Sequence, residues 1–360
     1  MSSILGKAWR WQRALLMPYR ERLSFWMSRV PLLRLVPWFG TLPTLFAEAY
    51  AVLRGNQQNR TDRFQGHGNV YVLRRNVHRL EKGIIMRGRR STFATDYIEH
   101  TVQLFVRAWT CDDFDRETVL WARDVLLKYF EVVGRDNPAI ERARAAMVAA
   151  SPPVDGGVHR FPVTSASLPR SGITLESFRL LCKQRRSVRW FDGRPVPRDQ
   201  VDAALECAGL APSACNRQPY RLIMLESREH IDRVGRIPGG VKGYVENIPM
   251  LAVVVGDLSA YQRPKDRHAI YIDASLAMMS FMMALETVGL SSCSINWPDL
   301  WRAERRLRQH VRMAAYERPV MFLAIGYAAG EDLVPYSQKK SLGVMRDYVD
   351  ARSDAQQGAT

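Results

Sequence analysis

The heptapeptide RRSVRWF at residues 185–191 brings three arginines and one serine together where a helical stretch gives way to a polar turn. A guanidinium group binds phosphate through two charge-assisted hydrogen bonds, and a neighbouring hydroxyl group can add another. The same composition also occurs on ordinary solvated surfaces. The stretch therefore leaves two alternatives open, which are an anion-binding seat and an exposed run of charge.

Three further polar segments follow along the chain. They are APSACNRQPYR at 211–221, GLSSCSINW at 289–297 and SQKK at 337–340. Each has a plain interpretation when taken alone, as a polar loop, a strand or a solvated tail. For the last segment, the pair Lys339 and Lys340 could equally be surface charge or part of a phosphate site.

In this order, the four segments resemble the FMN-dependent nitroreductase family over residues 174–348. That family has a Pro-Ser-x-x-Asn-x-Gln-Pro-[Trp/Tyr] loop about 25 residues after an Arg-x-Ser-x-[Arg/Lys]-x-Phe opening. The matching loop residues here are Pro212, Ser213, Asn216, Gln218, Pro219 and Tyr220. The resemblance implies an α+β fold, namely a three-layer α-β-α domain with a central, mainly antiparallel sheet.

The resemblance also implies roles for individual residues. Arg185 and Ser187 would hold the FMN phosphate and ribityl chain, and Arg189 would lie along the N1/O2 side of the ring. The 211–221 segment would reach the flavin from a second subunit of a homodimer. The full cofactor-binding set implied in this way is Arg185, Arg186, Ser187, Arg189, Pro212, Ser213, Asn216, Gln218, Lys242, Ile295, Asn296, Lys339 and Lys340.

The activity implied by the family is ping-pong oxidoreduction, in which NAD(P)H reduces FMN and an electron-poor small molecule, such as a nitroaromatic or quinone, is then reduced. No catalytic side chain is expected, because the flavin carries the redox chemistry. No Gly-rich dinucleotide fingerprint occurs in the sequence, in agreement with transient NAD(P)H binding on the flavin. Two alternatives remain open: a flavin-binding protein that docks elsewhere through its N-terminal part, and an oxygen-using enzyme of the same fold.

Composition limits the other classes of function. The five cysteines form no CxxC pair and the seven histidines lack metal-ligand spacing, so we expect reduced thiols, no metal and a cytoplasmic protein. The formal charge is +16, and residues 1–90 hold 17 Lys and Arg against 4 Asp and Glu. The basic character therefore belongs to the N-terminal segment, for which an anionic membrane surface or an acidic partner is favoured over nucleic acid.

The N-terminal segment lacks the pattern of a signal peptide, since arginines interrupt its apolar residues. Residues 31–50 are apolar, but Arg34 and three prolines disfavour a membrane-spanning helix. Tryptophans interleaved with arginines allow a peripheral contact with the inner face of a membrane. A helical extension packed on the rest of the protein is the preferred alternative.

Residues 76–90, NVHRLEKGIIMRGRR, resemble a segment of nitroreductase-like proteins that accompany polysaccharide biosynthesis genes. On that resemblance, His78, Arg79 and Lys82 could cap the flavin pocket or bind an anionic substrate. The preferred alternative is an ordinary helix end with Gly83 just beyond the last turn.

The elements that must position these residues follow from periodicity. Apolar residues three and four apart predict helices at 96–109, 115–133, 174–184, 197–209 and 268–290, and short apolar runs predict strands at 221–227, 250–257, 291–297 and 320–328. We expect the 268–290 helix to be buried in the interior or at a dimer interface. The predicted organisation is a helical basic region at 1–150, a linker at 151–172, an FMN-binding domain at 173–350 and a disordered tail at 351–360.

Overall fold

The structure is a computed structural model that describes Arg22 and residues 36–64, 69–111, 114–150 and 160–348. The predicted tail at 351–360 and most of the basic segment before residue 36 lie outside these residues. The predicted linker at 151–172 is described only from residue 160, where a short turn at Ser165–Ser167 is its one helical element.

The N-terminal part of the described chain is helical, as predicted. Its helices are α1 (Val36–Phe64), α2 (Val70–Ile84), α3 (Ile98–Thr110), α4 (Arg116–Val132) and α5 (Pro138–Ala150). We call these five helices the helical region. Helices α2 to α5 enclose a core of their own, in which Leu80, Phe105 and Leu126 are almost completely buried.

Local sequence explains where these helices begin. Asn69 precedes α2 and its side chain accepts a hydrogen bond from the Tyr71 amide, while Asp115 caps α4 by accepting from the Thr118 amide. The prediction that Gly83 lies beyond the end of its helix is wrong. Gly83 sits in the last turn of α2, and a Cβ atom there would come within 2.2 Å of the Phe93 ring, so glycine is required for packing.

The C-terminal part is built on a four-stranded sheet. Its strands are β1 (Tyr220–Leu225), β2 (Met250–Asp257), β3 (Ser291–Asn296) and β4 (Glu317–Gly326), in the order β1-β2-β4-β3. All three strand pairs are antiparallel, as predicted. Residues preceding the sheet extend it at the β3 edge, where Ser187 forms an isolated bridge with Ser292.

Helices cover both faces of this sheet and complete the predicted three-layer α-β-α domain. The covering helices are α7 (Arg198–Gly209), α8 (Arg228–Gly235), α9 (Ala269–Thr287) and α10 (Trp301–Leu307), whereas α6 (Leu175–Gln184) and α11 (Leu342–Met345) contribute no buried residue. Successive residues of β2 point to opposite faces, so Val253 packs on the side of α8 and α10 while Val254 packs on the side of α7 and α9.

Helix α9 is apolar on nearly every face. Its inner side packs on the sheet, whereas Ile272, Leu276 and Met279 form an exposed stripe on its outer side. Within the described ranges, the helical segment Pro264–Thr287 is the one that is long and apolar enough to cross a membrane, and half of its most apolar window is buried in the fold. The same features are typical of a core helix in a soluble domain.

The helical region packs directly on the α-β-α domain at the end of β2. Gly55 of α1 approaches the Leu258 backbone so closely that a Cβ atom would lie 2.6 Å from its carbonyl carbon. Two amides of α1 add buried hydrogen bonds, from Asn56 to the Tyr261 carbonyl at 3.0 Å and from Asn59 to the Ser259 carbonyl at 2.6 Å. The two parts therefore share a closely packed and hydrogen-bonded contact.

Candidate functional site

The arginine stretch at 185–191 lies along the β3 edge of the sheet. Helix α6 ends at Gln184, and the Val188 amide donates to the Ser292 carbonyl at 3.1 Å. The side chains of Val188 and Phe191 are buried in the core beneath the sheet. Ser187 and Arg189 also approach residues of this core, since Cys293 lies near both of them and Tyr244 lies near Arg189.

One buried acidic residue lies near the arginines of this stretch, since Glu286 interacts electrostatically with Arg185. Within the described ranges, Arg185, Arg186 and Arg189 form no ion pair, whereas the nearby Arg194 pairs with Asp192 at 2.6 Å. The Arg189 side chain donates a hydrogen bond to the Ser187 carbonyl at 3.3 Å and also interacts with the Tyr244 hydroxyl. Three unpaired guanidinium groups beside a hydroxyl group make a strong site for a phosphate.

Two protonated groups lie next to these arginines. The Arg189 guanidinium lies 5.8 Å from the centre of the Tyr244 ring, and burial raises the pKa of the Tyr244 hydroxyl to about 12. Burial also raises the pKa of the Cys293 thiol, although the nearby Arg189 opposes the shift. Both groups stay neutral near pH 7, so the positive charge of the arginines is not cancelled locally.

A cavity of about 380 Å³ opens beside the stretch. It is lined by Arg186 and Arg189, by Glu286 of α9 and by the segment at 328–334 that follows β4. Burial raises the pKa of Glu286, and its Oε2 atom accepts a hydrogen bond of 3.2 Å from the side-chain amide of Gln184. Burial thus weakens the acidity of Glu286, while Asp332 is a second carboxyl group in the lining.

The second motif forms a strained loop that leads into β1. Three of its residues, Cys215, Asn216 and Gln218, have left-handed backbone angles, with φ between 51° and 55°. Residues other than glycine adopt this conformation at a cost in energy. Within the loop, the backbone amide of Gln218 donates to the Ser213 hydroxyl oxygen at 3.0 Å.

Arg74 of α2 is the residue outside this loop that binds it most extensively, and no sequence pattern singles it out. Its Nε atom donates to the Asn216 carbonyl at 2.8 Å, and its Nη2 atom donates to Oε1 of Gln218 at 2.6 Å. The side-chain nitrogen Nε2 of Gln218 donates to the Gly209 carbonyl at 2.6 Å. The Gln218 side chain is thus engaged at both ends within its own protomer.

Asn216 differs from Gln218 in this respect. Among the residues that the structure describes, its side-chain amide has no hydrogen-bond partner, although its backbone is held by Arg74 and by the Ser213 carbonyl. A carboxylate from α9 supports the same loop, since Oδ2 of Asp273 accepts from the Ala214 amide at 3.0 Å. Asn216 is therefore the loop side chain best placed to bind a ligand.

The two motifs lie at opposite corners of the sheet. Four strand spacings separate Ser187 from β1, which amounts to about 19 Å. Ser292, the partner of Ser187, is aligned with Ile325, whereas Tyr220 is aligned through β2 with Arg318, which lies roughly 24 Å away along the strand. Within one protomer, the arginine stretch and the 211–221 segment face different surroundings.

The remaining predicted cofactor residues are mostly on the surface. Those with exposed side chains are Pro212, Lys242, Asn296, Lys339 and Lys340, whereas Ile295 is buried in the core beneath the sheet. Lys339 and Lys340 form no ion pair within the described part of the chain. Asn247 holds the arginine stretch itself, since its side-chain amide bonds both the N–H and the carbonyl of Phe191.

The residues of the 76–90 segment make contacts inside the helical region. His78 approaches Glu81 at 3.3 Å, and the Arg79 guanidinium stacks 3.7 Å from the centre of the Tyr97 ring. Glu81 also accepts a hydrogen bond of 2.9 Å from the Trp121 indole. These contacts fit a helix surface bonded by its own charges.

Known proteins match the C-terminal half of the chain. Residues 182–239 and 242–327 match the model of the nitroreductase family. Iodotyrosine deiodinase 1 of Sus scrofa is 25% identical over 215 residues, which cover 51% of this chain and 73% of that protein. A "Putative NADH dehydrogenase/NAD(P)H nitroreductase" of Methanothermobacter thermautotrophicus is 26% identical over 152 residues, covering 41% of this chain and 75% of the relative.

Solved structures match the same half. A nitroreductase-like protein from Streptococcus mutans aligns with a TM-score of 0.44 at 18% identity, covering 49% of this chain and all of that one. An FMN-dependent nitroreductase from Clostridium difficile R20291 aligns with a TM-score of 0.38 at 21% identity, covering 44% of this chain and 91% of that one. With the family-model match, the two motifs and the α-β-α sheet architecture, the C-terminal half of this chain is a domain of the nitroreductase family of oxidoreductases.

Proposed function

We propose that this protein is an FMN-dependent oxidoreductase that takes electrons from NAD(P)H and delivers them to an electron-poor small molecule, such as a nitroaromatic or a quinone. The observation that carries the proposal is the set of three guanidinium groups without ion pairs, in the described part of the chain, beside the Ser187 hydroxyl. FMN supplies two-electron redox chemistry when it is bound. The name of the Methanothermobacter relative supports the choice of NAD(P)H as donor.

The residues of the arginine stretch fit a mononucleotide. Arg185 and Ser187 would bind the phosphate and ribityl chain, with Arg186 contributing from the cavity wall. Arg189 would supply positive charge at the N1/O2 side of the ring, which favours electron uptake there. Because Tyr244 and Cys293 remain protonated near pH 7, neither acts as a base, and water or the substrate would exchange the protons.

We also propose that the protein works as a homodimer, with each flavin bound between two copies. Opposite corners of one sheet cannot both contact a single flavin ring, so the 211–221 segment at each site would come from the partner. Exposed apolar surface supports this arrangement. It includes Phe178 on α6, the outer stripe of α9, and Leu333, Tyr336, Leu342, Val344 and Met345 in the C-terminal segment.

An absorption spectrum of the purified protein, followed by anaerobic titration with NADH and NADPH, tests the cofactor and the donor. The double variant Arg185→Ala/Arg189→Ala should lose most of its FMN affinity, about a hundredfold, because two charged contacts to the cofactor are removed. The matched control is Arg194→Ala/Arg198→Ala, which removes two exposed arginines paired with Asp192 and Glu226. Full flavin retention in the first variant would refute the site.

The homodimer is tested by sedimentation velocity. Leu276→Glu places a charge in the exposed stripe of α9 and should yield monomers that also lose FMN. The control Leu53→Glu changes a more exposed leucine on α1 and should remain dimeric. A wild-type protein that is a monomer with bound flavin would contradict the proposal.

Reductive dehalogenation is a second candidate reaction, favoured by the 25% identity to iodotyrosine deiodinase 1 over 73% of that protein. In that reaction an aryl halide gains two electrons and one proton, the carbon–halogen bond breaks, and halide leaves. Iodide release from iodotyrosine, compared with nitroaromatic reduction by the same reduced enzyme, separates the two. Rapid reduction of nitroaromatics without iodide release would favour the first candidate.

The basic N-terminal segment has a separate proposed role as a peripheral membrane contact of a cytoplasmic protein. Three of its four tryptophans and six of its fifteen arginines lie before residue 36. Co-sedimentation with anionic liposomes should fall as salt is raised, because the attraction is electrostatic. Binding to neutral liposomes at the same level would argue against it.

A further inference from the structure

We propose that Arg74 of the helical region is a positioning residue for the flavin, because it holds the 211–221 segment in the shape that this segment offers to the cofactor. The inference rests on the proposed function. It gives the helical region a part in redox chemistry, although the match to the nitroreductase model begins only at residue 182.

The geometry of the Arg74 contacts supports this role. One planar guanidinium group donates in three directions: to the Asn216 carbonyl at 2.8 Å, to the Gln218 side chain at 2.6 Å and to the Thr118 hydroxyl at 2.6 Å. Arginine can serve three acceptors in fixed directions, which a single ammonium group cannot do in the same way.

The Arg74 side chain is itself held in place by α4. The Thr118 hydroxyl accepts from Arg74 and donates to the Asp115 carboxylate at 2.7 Å. Asp115 is the N-cap of α4, and it also accepts from the Thr118 amide at 2.9 Å. The Trp121 ring lies 5.3 Å from the Arg74 guanidinium. Partners on α4 thus fix the direction in which Arg74 points before it meets the loop.

The loop needs such an external partner. Two of its three left-handed residues, Asn216 and Gln218, are the ones that Arg74 contacts. Without these bonds, the backbone would be free to relax toward the ordinary right-handed regions. The side-chain amide of Asn216, which has no hydrogen-bond partner among the described residues, would then no longer be held in one orientation. Arg74 therefore acts on the cofactor through Asn216 and not by contact.

The test compares FMN affinity, flavin midpoint potential and melting temperature in full-length variants. Arg74→Ala should weaken FMN binding about tenfold or more, because the loop loses a charged hydrogen-bonding partner. Arg74→Lys should fall between this variant and the wild type, since lysine keeps the charge but not the fork. Thr118→Val should weaken binding in the same direction by a smaller factor.

The matched control is Arg142→Ala, which removes an exposed arginine of the helical region that pairs with Glu99 and lies away from the loop. It should bind FMN within about twofold of the wild type. A purely structural role for Arg74 would lower the melting temperature while leaving FMN affinity and midpoint potential within about twofold, and that result would overturn the inference.

Two other outcomes are also decisive. If Arg74→Ala does not fold, as judged by circular dichroism, folded Arg74→Lys and Thr118→Val with unchanged affinity and potential would overturn the inference. If the wild-type protein binds no FMN, the proposed function fails and the inference falls with it. Wild-type FMN binding together with unaffected variants would refute the role of Arg74 alone.

Discussion

Tyr71 and Asp257 are joined by a hydrogen bond of 3.0 Å that connects the helical region with the end of β2. The other carboxylate oxygen of Asp257 accepts from the Ser259 amide at 2.8 Å. Burial raises the pKa of both Tyr71 and Asp257. Loss of the Tyr71 hydroxyl in the folded protein would leave the buried carboxyl group without one of its donors, so this bond stabilises the contact between the two regions.

Removal of this hydroxyl group should destabilise the protein. We expect Tyr71→Phe to lower the free energy of unfolding by about 1–3 kcal/mol, because the buried Asp257 carboxyl group loses a donor. Urea unfolding measures the change. Tyr336→Phe, at a tyrosine that is 77% exposed, serves as the control and should have almost no effect. Equal stabilities of the two variants would show that the bond contributes nothing.

Gly55 tests the packing of α1 on the α-β-α domain. Gly55→Ala places a Cβ atom 2.6 Å from the Leu258 carbonyl carbon, which belongs to backbone and cannot rotate away. We expect a loss of about 1–3 kcal/mol and faster proteolysis of α1. The control is Gly209→Ala, where no heavy atom lies within 4 Å and stability should be kept or slightly raised. Similar behaviour of the two variants would contradict the close approach.

Asn247 is expected to affect both the stability of the protein and the proposed cofactor site. Its amide bonds both backbone groups of Phe191, two residues beyond Arg189. Asn247→Asp would replace the donor facing the Phe191 carbonyl with an oxygen, so we expect about 1–3 kcal/mol lower stability and weaker FMN retention. Gln309→Glu, the same chemical change at an exposed residue, should alter neither. Thermal unfolding and flavin content measure both effects, and an unchanged Asn247→Asp protein would be the contrary result.

The carboxyl group of Asp273 should make the stability of the folded protein depend on pH. Burial raises its pKa, while hydrogen bonds from the Ala214 amide and the Tyr261 hydroxyl, together with Arg217, oppose the shift. The folded state thus holds the proton more tightly than the unfolded chain does. The stability of the wild type relative to Asp273→Asn should therefore fall as pH rises from about 4 through the raised pKa. Urea unfolding of both proteins across that range measures the difference, and a rise with pH would contradict it.

Much of the α-β-α domain could be predicted from the sequence, because short sequence patterns within each helix or strand indicate its type. The eight-residue run MLAVVVGD at 250–257 is too short and too apolar to be anything but a buried strand, and it forms β2 with almost every residue buried. Pro197 directly precedes α7, as expected for a helix start. Patterns of this kind depend only on neighbouring residues.

Contacts between distant residues left no such signal. Arg74 and Gln218 are 144 positions apart, and nothing near Arg74 distinguishes it from the adjacent Arg75. The left-handed angles of the 211–221 segment fall on residues other than glycine, so the turn could not be anticipated. The roles of Lys339 and Lys340 remain predictions, since these side chains are exposed and unpaired in the described part of the chain.

In the proposed homodimer, the placement of the two motifs at opposite corners of the sheet has a thermodynamic consequence. A prosthetic group that contacts two chains binds more weakly when dilution dissociates those chains. Binding of the group in turn stabilises the dimer by mass action. Flavin content would then follow protein abundance as a cooperative rather than a simple saturation curve. Added FMN would lower the concentration at which subunits associate, so that cofactor supply would regulate assembly.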